Sequence, residues 1–256
     1  MTVTATETTK RGRWRGKISG IAILLAALSL LALGAAPLGW RMGLLPLKAA
    51  FELLALAAIA AVLAGVTAAI ALAVWRRRLE GLRILLLAGT LLLGAGFVLL
   101  PLRIAMRHAP AIHDITTDTA DPPAIIAALP ARQAEHAATA AYGGPATAAQ
   151  QRAAFPDIAP VVLPLSPAKA FDLALATARG MPRWNITATD PAAGRIEASE
   201  ASFWFGFVDD IVIRVAAADA DSRVDIRSLS RQGKGDLGVN AARVRAYIAA
   251  LEKATG

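Results

Sequence analysis

Three long apolar runs dominate the first hundred residues, and short basic stretches separate them: Ile18–Leu38, Ala49–Val74 and Ile84–Leu102. About 20 helical residues are needed to cross a hydrocarbon core of about 30 Å. Inside a bilayer every backbone amide must be satisfied within its own segment, so such runs form helices. The pattern predicts an all-α membrane anchor of three transmembrane helices over residues 18–103.

The basic residues around these runs predict their orientation. A basic cluster precedes the first run and a second one follows the second run in "WRRRLEGLR", whereas the first connection has only Arg41 and Lys48. The positive-inside rule places the basic clusters in the cytoplasm. We therefore expect residues 1–17 to be a basic cytoplasmic N-terminus. The chain after the third helix is expected to be a periplasmic, or extracytoplasmic, domain of a bacterial protein integral to the cytoplasmic (inner) membrane.

The first run has a second interpretation. A basic segment, an apolar stretch and "ALGAAP" also resemble a signal peptide with a small-residue cleavage site. The apolar part of a signal peptide is usually roughly 7–15 residues long, so the length of this run favours an uncleaved helix. Cleavage would leave the other two helices in the same orientation, and the sequence does not decide between the two outcomes.

Few groups within the runs are suited to a transport pathway. Ionisable residues inside a membrane are costly and usually functional, but Glu52 lies near one end of the second run. Ser29, Thr67 and Thr90 can each bond a carbonyl of their own helix. Because the glycines of the runs favour close helix packing, we interpret this part of the chain as an anchor.

Residues 104–160 are rich in Ala, Pro, Thr and Gly. Repeated prolines and the pair Gly143-Gly144 interrupt this stretch too often for a long regular element. We expect a tether that lies along the outer domain, with a short helix near Pro130–Ala141.

The periodicity changes from Val161 onward. "VVLPL" predicts a short strand, and Ser166 followed by Pro167 predicts the cap and first residue of a helix that ends at Gly180. A final helix is expected after a cap at Asp236, with Leu237 on its apolar face. Between the two helices the sequence predicts four strands: Trp184–Thr189, Arg195–Phe203, Asp209–Ala216 and Arg223–Ser230.

Alternation along these strands predicts how they pack. Ile211, Ile213 and Val215 alternate with more polar positions such as Arg214. One apolar face can lie under the helices, while the other carries charges that pair across strands. We predict that residues 161–256 form an outward-facing α+β two-layer sandwich with an antiparallel sheet, in the order β-α-β-β-β-β-α.

The net charge of +8 belongs to the apolar half of the chain. Residues 1–110 carry +10 and residues 111–256 carry −2. A slightly acidic domain does not suit a polyanion, so we expect no nucleic-acid partner. The chain contains no cysteine, which excludes disulfides, a thiolate nucleophile and cysteine metal sites.

Several phrases in the second half carry a family resemblance: "FPDIAPVVL", "GRIEA", "FWFGFVDDIVIRV" and "SRVDIRSLSRQGKGDLGVNAARVRAYI", with "HDITTD" upstream. They resemble the domain-of-unknown-function family 1499 over about residues 112–252. The resemblance implies a bacterial or plastid domain that often follows membrane helices. It implies no activity that can be transferred to particular residues.

The glycine-rich segment Ser230–Arg243 has two interpretations. Its backbone amides, with Lys234 and the start of a helix, could bind an anion. Alternatively it is a strand-to-helix turn that Asn240 supports by hydrogen bonding, which we favour. It is not a P-loop, because Gly235 rather than Ser or Thr follows Lys234.

The sequence offers little metal or catalytic chemistry. "HDITTD" supplies His113, Asp114 and Asp118, but it lacks the paired spacing of a metal site, and these residues can cap turns instead. Asp209 and Asp210 point to opposite faces of a strand. One of them is expected to pair with an arginine such as Arg214 or Arg227. We assign no catalytic residue, no metal and no cofactor, and all three histidines precede the predicted domain: His108, His113 and His136.

The stretch "SFWFGFVDDIVIRV" places four aromatic rings within five positions. In a strand, Phe203, Phe205 and Phe207 would share one face and Trp204 would lie on the other. Burial of one ring stabilises a fold by roughly 1.5–3 kcal/mol. We therefore expect two rings in the core and one or two closing an end of the sheet.

These features predict a non-enzymatic domain at the outer surface of the membrane that binds an apolar or lipid-like ligand, or a protein partner. The lipid bilayer is itself an expected partner. An accessory subunit of a larger membrane complex and an enzyme acting on an envelope component are the alternatives. Six residues are the candidate ligand or partner contacts: Trp184, Trp204, Phe205, Phe207, Lys234 and Asn240.

Overall fold

The computed structural model describes residues 3–75, 77, 79–105 and 110–255. Arg76, Arg78 and His108, and the side chains of the basic residues at positions 10–15, lie outside that description. The chain divides into two compact units, Met1–Arg107 and His108–Gly256.

The first unit contains three long apolar helices: α1 (Val3–Arg41), α2 (Leu47–Trp75) and α3 (Gly81–Ala105). Each contains a stretch that is long and apolar enough to cross a membrane: Gly16–Arg41, Leu47–Trp75 and Gly81–Leu100. The three predicted membrane helices are confirmed, and each helix extends beyond its apolar run because the flanking residues continue the backbone hydrogen bonding.

Small residues bring α2 and α3 into close contact. A Cβ atom added to Gly65 would lie 3.2 Å from Cα of Gly94. Ser29, Thr67 and Thr90 each donate to the carbonyl four residues earlier, at 2.8, 2.8 and 2.9 Å. The hydroxyl groups are satisfied within their own helices, as predicted.

The second unit is built on a six-stranded antiparallel sheet: β1 (Asp114–Thr116), β2 (Val161–Leu163), β3 (Trp184–Asp190), β4 (Arg195–Ala201), β5 (Val208–Ala218) and β6 (Asp221–Ser230). The strand order is β1-β6-β5-β4-β3, and β2 also pairs with β6. Both β1 and β2 are antiparallel to β6, with Asp114 opposite Leu229 and Val161 opposite Val224.

Two longer helices cover the apolar face of this sheet, α6 (Pro167–Gly180) and α7 (Val239–Thr255). Ile211, Ile213 and Val215 face them within the main core. Tyr247 of α7 is fully buried and donates its hydroxyl to the carbonyl of Ala174 in α6 at 3.0 Å. The predicted two-layer α+β sandwich is confirmed.

The two predicted helix caps differ in outcome. Ser166 occupies the N-cap position of α6, but its side chain makes no capping hydrogen bond, and only its carbonyl accepts the first helical N–H, from Ala170. The Asp236 carboxylate accepts the backbone N–H groups of Gly238 at 2.9 Å and Asn240 at 2.6 Å, so it does cap α7.

The segment expected to be a tether contributes β1 and two short helices, α4 (Leu129–Ala134) and α5 (Gly144–Ala154). The side chain of Gln151 in α5 donates to the carbonyl of Thr116 at 2.6 Å and accepts its N–H at 3.0 Å. This side chain satisfies the outer edge of β1 as a neighbouring strand would. The Gly-Pro signal at residues 144–145 starts α5 rather than interrupting a loop, because proline suits the first turn of a helix.

The second face of the sheet is buried as well. The sequence indicated a charged face, and Glu197, Asp210 and Arg227 are each at most 3% exposed there. Ile125 and Ala128 of the covering segment pack on Val212 and Leu229. Burial of so many charges is tolerated because each has charged or backbone partners.

Candidate functional site

One end of the sheet gathers most of the candidate residues. At that end β4 finishes opposite the start of β5, with Ala201 paired to Val208. Ser230, the last residue of β6, is paired to Asp209 there. We call it the Trp204 end, and the opposite end, where β2 meets the start of β6, the Val162 end.

The connection between β4 and β5 is a tight turn over residues 202–207. Strand β4 was expected to continue to Phe203, but it ends at Ala201 because Ser202 closes the turn. Ser202 donates its N–H to the carbonyl of Phe207 at 2.8 Å, and its Oγ accepts the N–H of Phe207 at 2.9 Å. Gly206 has φ +69°, a conformation that glycine adopts without a steric penalty. The strand alternation expected for the four rings therefore does not apply.

Within this turn the rings bury one another unequally. Phe205 is buried, and its ring stacks on Phe207 with centroids 5.0 Å apart. Trp204 meets Phe205 edge-on at 5.4 Å and remains 46% exposed, whereas Phe203 is 86% exposed. One ring is buried where two were expected, and two present large apolar surfaces to the outside.

Trp184, at the start of β3, is differently placed. Its indole stacks on the ring of Tyr247 with centroids 5.5 Å apart, and it packs against the main core. The structure therefore places this candidate on the helix side of the sheet as a packing residue.

The loop between β6 and α7 adds further apolar side chains at the Trp204 end. Among the described residues of the second unit, the exposed large apolar side chains are Ile126, Leu129, Val162, Phe203, Trp204, Leu237 and Val239. Phe203, Trp204 and Leu237 lie on the two loops of this end, and Val239 is the first residue of α7. The sequence pattern had placed Leu237 on the buried face of α7, but this residue has φ +57° and precedes the helix.

Lys234 and Asn240, the two polar candidates, have different roles. Lys234 is exposed on the loop. Asn240 is fully buried: its amide donates to the carbonyl of His113 at 3.0 Å and to Oγ of Ser230 at 2.9 Å. Its Oδ1 accepts the hydroxyl of Ser228 at 2.6 Å. Asn240 therefore fixes the loop against β1, and its side chain is used in these hydrogen bonds.

A cavity of about 360 Å³ lies beside this loop. It brings together His113 and Asp114 from the start of β1 with Lys234 from the loop, groups that are far apart in the sequence. Thr139 and Thr147 add hydroxyl groups to the lining. His113 was expected to precede the folded domain, and it is instead part of this wall.

Arginine–carboxylate pairs occupy the buried face behind the cavity. Arg227 holds Asp114 through two hydrogen bonds of 2.8 Å. Asp210 accepts from Arg132 and Arg231, both at 2.7 Å. Sequence reasoning missed Arg132 and Arg231, because a charged residue in a proline-rich or glycine-rich stretch indicates a solvated loop.

The adjacent aspartates pair with arginines, as expected, but with other arginines than the two given as examples. Neither Arg214 nor Arg227 contacts them among the described ion pairs. Asp209 pairs with Arg243 at 2.7 Å, and Arg214 binds Asp118, Asp121 and Asp225. The adjacent aspartates do point to opposite faces, so each meets a different layer of the domain.

Glu197 shows how completely the buried carboxylates are used. Its two oxygens accept the backbone N–H groups of three successive residues, 126–128, at 2.9–3.2 Å. Arg195 lies 3.3 Å away. In the part of the chain that the structure describes, no group of three or more His, Cys, Asp or Glu side chains is arranged to hold a metal ion.

The pKa shifts follow from these contacts. Burial opposes ionisation of Glu200, but hydrogen bonds from Arg243 and Arg183 outweigh it, so the pKa of Glu200 is lowered. Burial likewise opposes ionisation of Asp118, and backbone N–H groups and two arginines lower its pKa overall. Burial, together with the charge of Asp114, raises the pKa of the Tyr142 hydroxyl. Near neutral pH, Glu200 and Asp118 therefore stay ionised and Tyr142 stays neutral.

Comparison with known protein families gave a match over the second unit. A family model described as "Protein of unknown function (DUF1499)" matches residues 114–251, more than half of the 256 residues. The match includes every strand of the sheet and confirms the resemblance seen in the sequence. No curated protein matches the chain.

Proposed function

The chain belongs to the DUF1499 family, and from this premise we propose that it is a membrane-anchored, non-enzymatic lipid-binding protein. The second unit contacts lipid through the Trp204 end, at the outer surface of the bacterial cytoplasmic membrane. The three apolar helices of the first unit serve as the anchor.

The observation that carries the proposal is the grouping of exposed apolar side chains. Phe203, Trp204, Leu237 and Val239 are between 46% and 86% exposed; the first three lie on two loops of one sheet end, and Val239 begins α7 there. Transfer of one such side chain out of water is worth roughly 1.5–3 kcal/mol when burial is complete. Exposed apolar patches of this kind mark interaction surfaces, and tryptophan favours membrane interfaces.

Two further features favour lipid over a protein as the occupant. Lys234 lies on one of these loops and has no ion pair among the described residues, so it can attract an anionic lipid surface. The chain also enters the domain at this end, where residues 106–113 alone separate Ala105 of α3 from Asp114 of β1. A loop end that follows a membrane helix so closely along the chain is suited to contact with lipid.

The buried polar groups support a binding role rather than catalysis. The carboxylates of Asp114, Glu197 and Asp210 are each held by arginine or backbone donors. A general acid or base needs access to a substrate proton. These carboxylates are buried and already accept hydrogen bonds, so they lack that access.

Spin labels can test lipid contact directly, because the chain has no cysteine of its own. Phe203→Cys and Val162→Cys place single labels at the two ends of the sheet, at side chains that are 86% and 58% exposed. Arg223, paired to Val162, and Ser230 are separated along β6 by about 24 Å at 3.4 Å per residue. The full chain would be reconstituted into bilayers, and the access of oxygen and of a water-soluble nickel complex to each label would be measured.

The label at position 203 is expected to be more accessible to oxygen, and the label at 162 to nickel. Equal nickel access at both positions would overturn the lipid proposal. If the label at 203 is water-exposed in pure lipid but immobilised in native membranes, the surface binds a protein partner, and the alternative of an accessory subunit replaces the proposal.

A further inference from the structure

We infer that the cavity beside Lys234 is a binding site for a phosphate group. The inference deepens the proposed function, and it rests on it for one point only, that a lipid headgroup is a possible source of the phosphate. The same chemistry is supplied by a free phosphate ester.

The size and lining of the cavity suit a small anion. Its volume of about 360 Å³ exceeds that of a phosphate and leaves room for part of an attached group. Lys234, His113 and two threonines contribute donor groups, while Ile112 and Leu229 supply apolar walls.

The balance of charge in the cavity is positive. Asp114 also lines it, but both carboxylate oxygens accept hydrogen bonds from Arg227 at 2.8 Å. The arginine offsets that negative charge. Of the charged side chains that line the cavity, Lys234 has no ion pair in the described part of the chain. Its ammonium group can bind phosphate as a point charge.

His113 has an unused buried polar atom. Its carbonyl accepts the N–H of Ser230 at 3.1 Å and the amide of Asn240 at 3.0 Å, which fixes the residue in place. Its ring Nδ1 is buried and has no hydrogen-bond partner among the described residues. Buried polar atoms without partners are rare in folded proteins. Because His113 lines the cavity, a phosphate bound there would change the surroundings of its ring.

The loop that carries Lys234 is held over the cavity by its glycines. A Cβ atom added to Gly235 would lie 3.2 Å from Cα of Ala111, so the loop backbone lies directly against the incoming chain. Gly233 has φ +91°, which a residue with a side chain rarely adopts. Neighbouring glycines thus set the position of Lys234.

The test uses the full chain in a phosphate-free, nonionic detergent, with histidine ring signals followed by nuclear magnetic resonance. The signal of His113 would be assigned by its loss in His113→Gln. Two probes would be titrated, inorganic phosphate and dihexanoyl phosphatidylglycerol, and dihexanoylglycerol would serve as the phosphate-free lipid.

A saturable shift of the His113 signal is expected with at least one phosphate probe and not with dihexanoylglycerol. Lys234→Ala should weaken binding about tenfold, the loss expected for one charge-assisted hydrogen bond. Lys253→Ala removes the same charge from the far end of α7, about 20 Å away at 1.5 Å per residue, and should leave affinity unchanged.

The outcomes separate the sources of phosphate. A shift with both probes identifies a general phosphate site, and a shift with the phospholipid alone identifies a headgroup site. Absence of a saturable shift with either probe, or equal weakening by Lys253→Ala, would overturn the inference.

The two proposals fail independently. A label at position 203 that lies in lipid, without any phosphate binding, would remove this inference and leave the proposed function. Phosphate binding together with a water-exposed label at position 203 would remove the proposed lipid contact and leave this inference.

Discussion

Arg227 of β6 and Asp114 of β1 form a buried, two-fold hydrogen-bonded pair, with both distances 2.8 Å and side-chain exposures of 3% and 7%. The same guanidinium donates to the carbonyls of Pro123 and Ala140, at 3.1 and 2.8 Å, and lies 5.6 Å from the ring centre of Tyr142. A single side chain therefore joins the sheet to the segment that covers it.

Removal of this arginine should be severe. Arg227→Met leaves Asp114 buried without its charged partner, and loss of one partner of a buried pair costs roughly 3–5 kcal/mol. Arg245→Met is a matched control, because its pair with Asp157 is 42% and 53% exposed and surface pairs contribute roughly 0–1 kcal/mol. Pulse proteolysis of the full chain across a urea series would measure the loss of stability of the second unit in each variant. Equal losses in the two variants would contradict the structural role of the Asp114–Arg227 pair.

The turn between β3 and β4 should tolerate no side chain at Gly194. This residue has φ +59°, and an added Cβ would lie 2.0 Å from the carbonyl oxygen of Val215. The backbone conformation alone should cost Gly194→Ala roughly 1–3 kcal/mol, and relief of the clash would add to it. Gly180→Ala, where nothing lies within 4 Å, should change the free energy of unfolding little. A urea midpoint for Gly194→Ala equal to that of the wild type would contradict the close approach of Gly194 to Val215.

Acid should weaken the second unit partly through Glu200. Its pKa in the folded state lies below the ordinary value of 4.5, because Arg243 and Arg183 outweigh the effect of burial. A lowered folded-state pKa means that the contribution to stability is complete above the unfolded pKa and is lost as the pH falls through the folded one. Glu200→Gln should therefore flatten the loss of stability between about pH 5 and pH 3. The exposed Glu252→Gln serves as the comparison, and identical acid profiles for the two variants would contradict the prediction.

Orientation in the membrane can be tested with single cysteines. The basic residues on either side of the apolar runs predict that Glu80→Cys faces the cytoplasm, whereas Met42→Cys and Lys253→Cys face outward. A membrane-impermeant maleimide added to intact spheroplasts should label positions 42 and 253, and position 80 only after lysis. Labelling of position 80 in intact spheroplasts would contradict the proposed topology.

Alternating and periodic patterns were enough to predict the layers of the fold. The alternation at Ile211, Ile213 and Val215 predicted one apolar sheet face, and the apolar stretches predicted the three long helices. Such patterns work because water is excluded from one face of each element. The residues on that face are therefore apolar, and they recur at the period of the helix or strand.

The cover of the second face could not be predicted in the same way. Arg132 and Asp210 are separated by 78 residues, and each alone is typical of a solvated surface. The cavity could not be predicted either, since nothing in "HDITTD" or "RQGKGD" indicates that His113 and Lys234 line the same cavity. Pairing between distant polar residues leaves no periodic trace in the sequence, whereas the cap at Asp236 is local and was predictable.

The strand order also has a consequence for how the protein is made. Strand β6 lies between β5 and both β1 and β2. The backbone of Asp114 can therefore pair only after Leu229 has been synthesised. At a synthesis rate of about 5–20 residues per second, residues 114 and 229 are made roughly 6–23 s apart. During that interval the start of the domain has no strand to pair with and is open to proteases and chaperones. A chain cut short before β6 would never leave that state, because β1 and β2 both pair with β6.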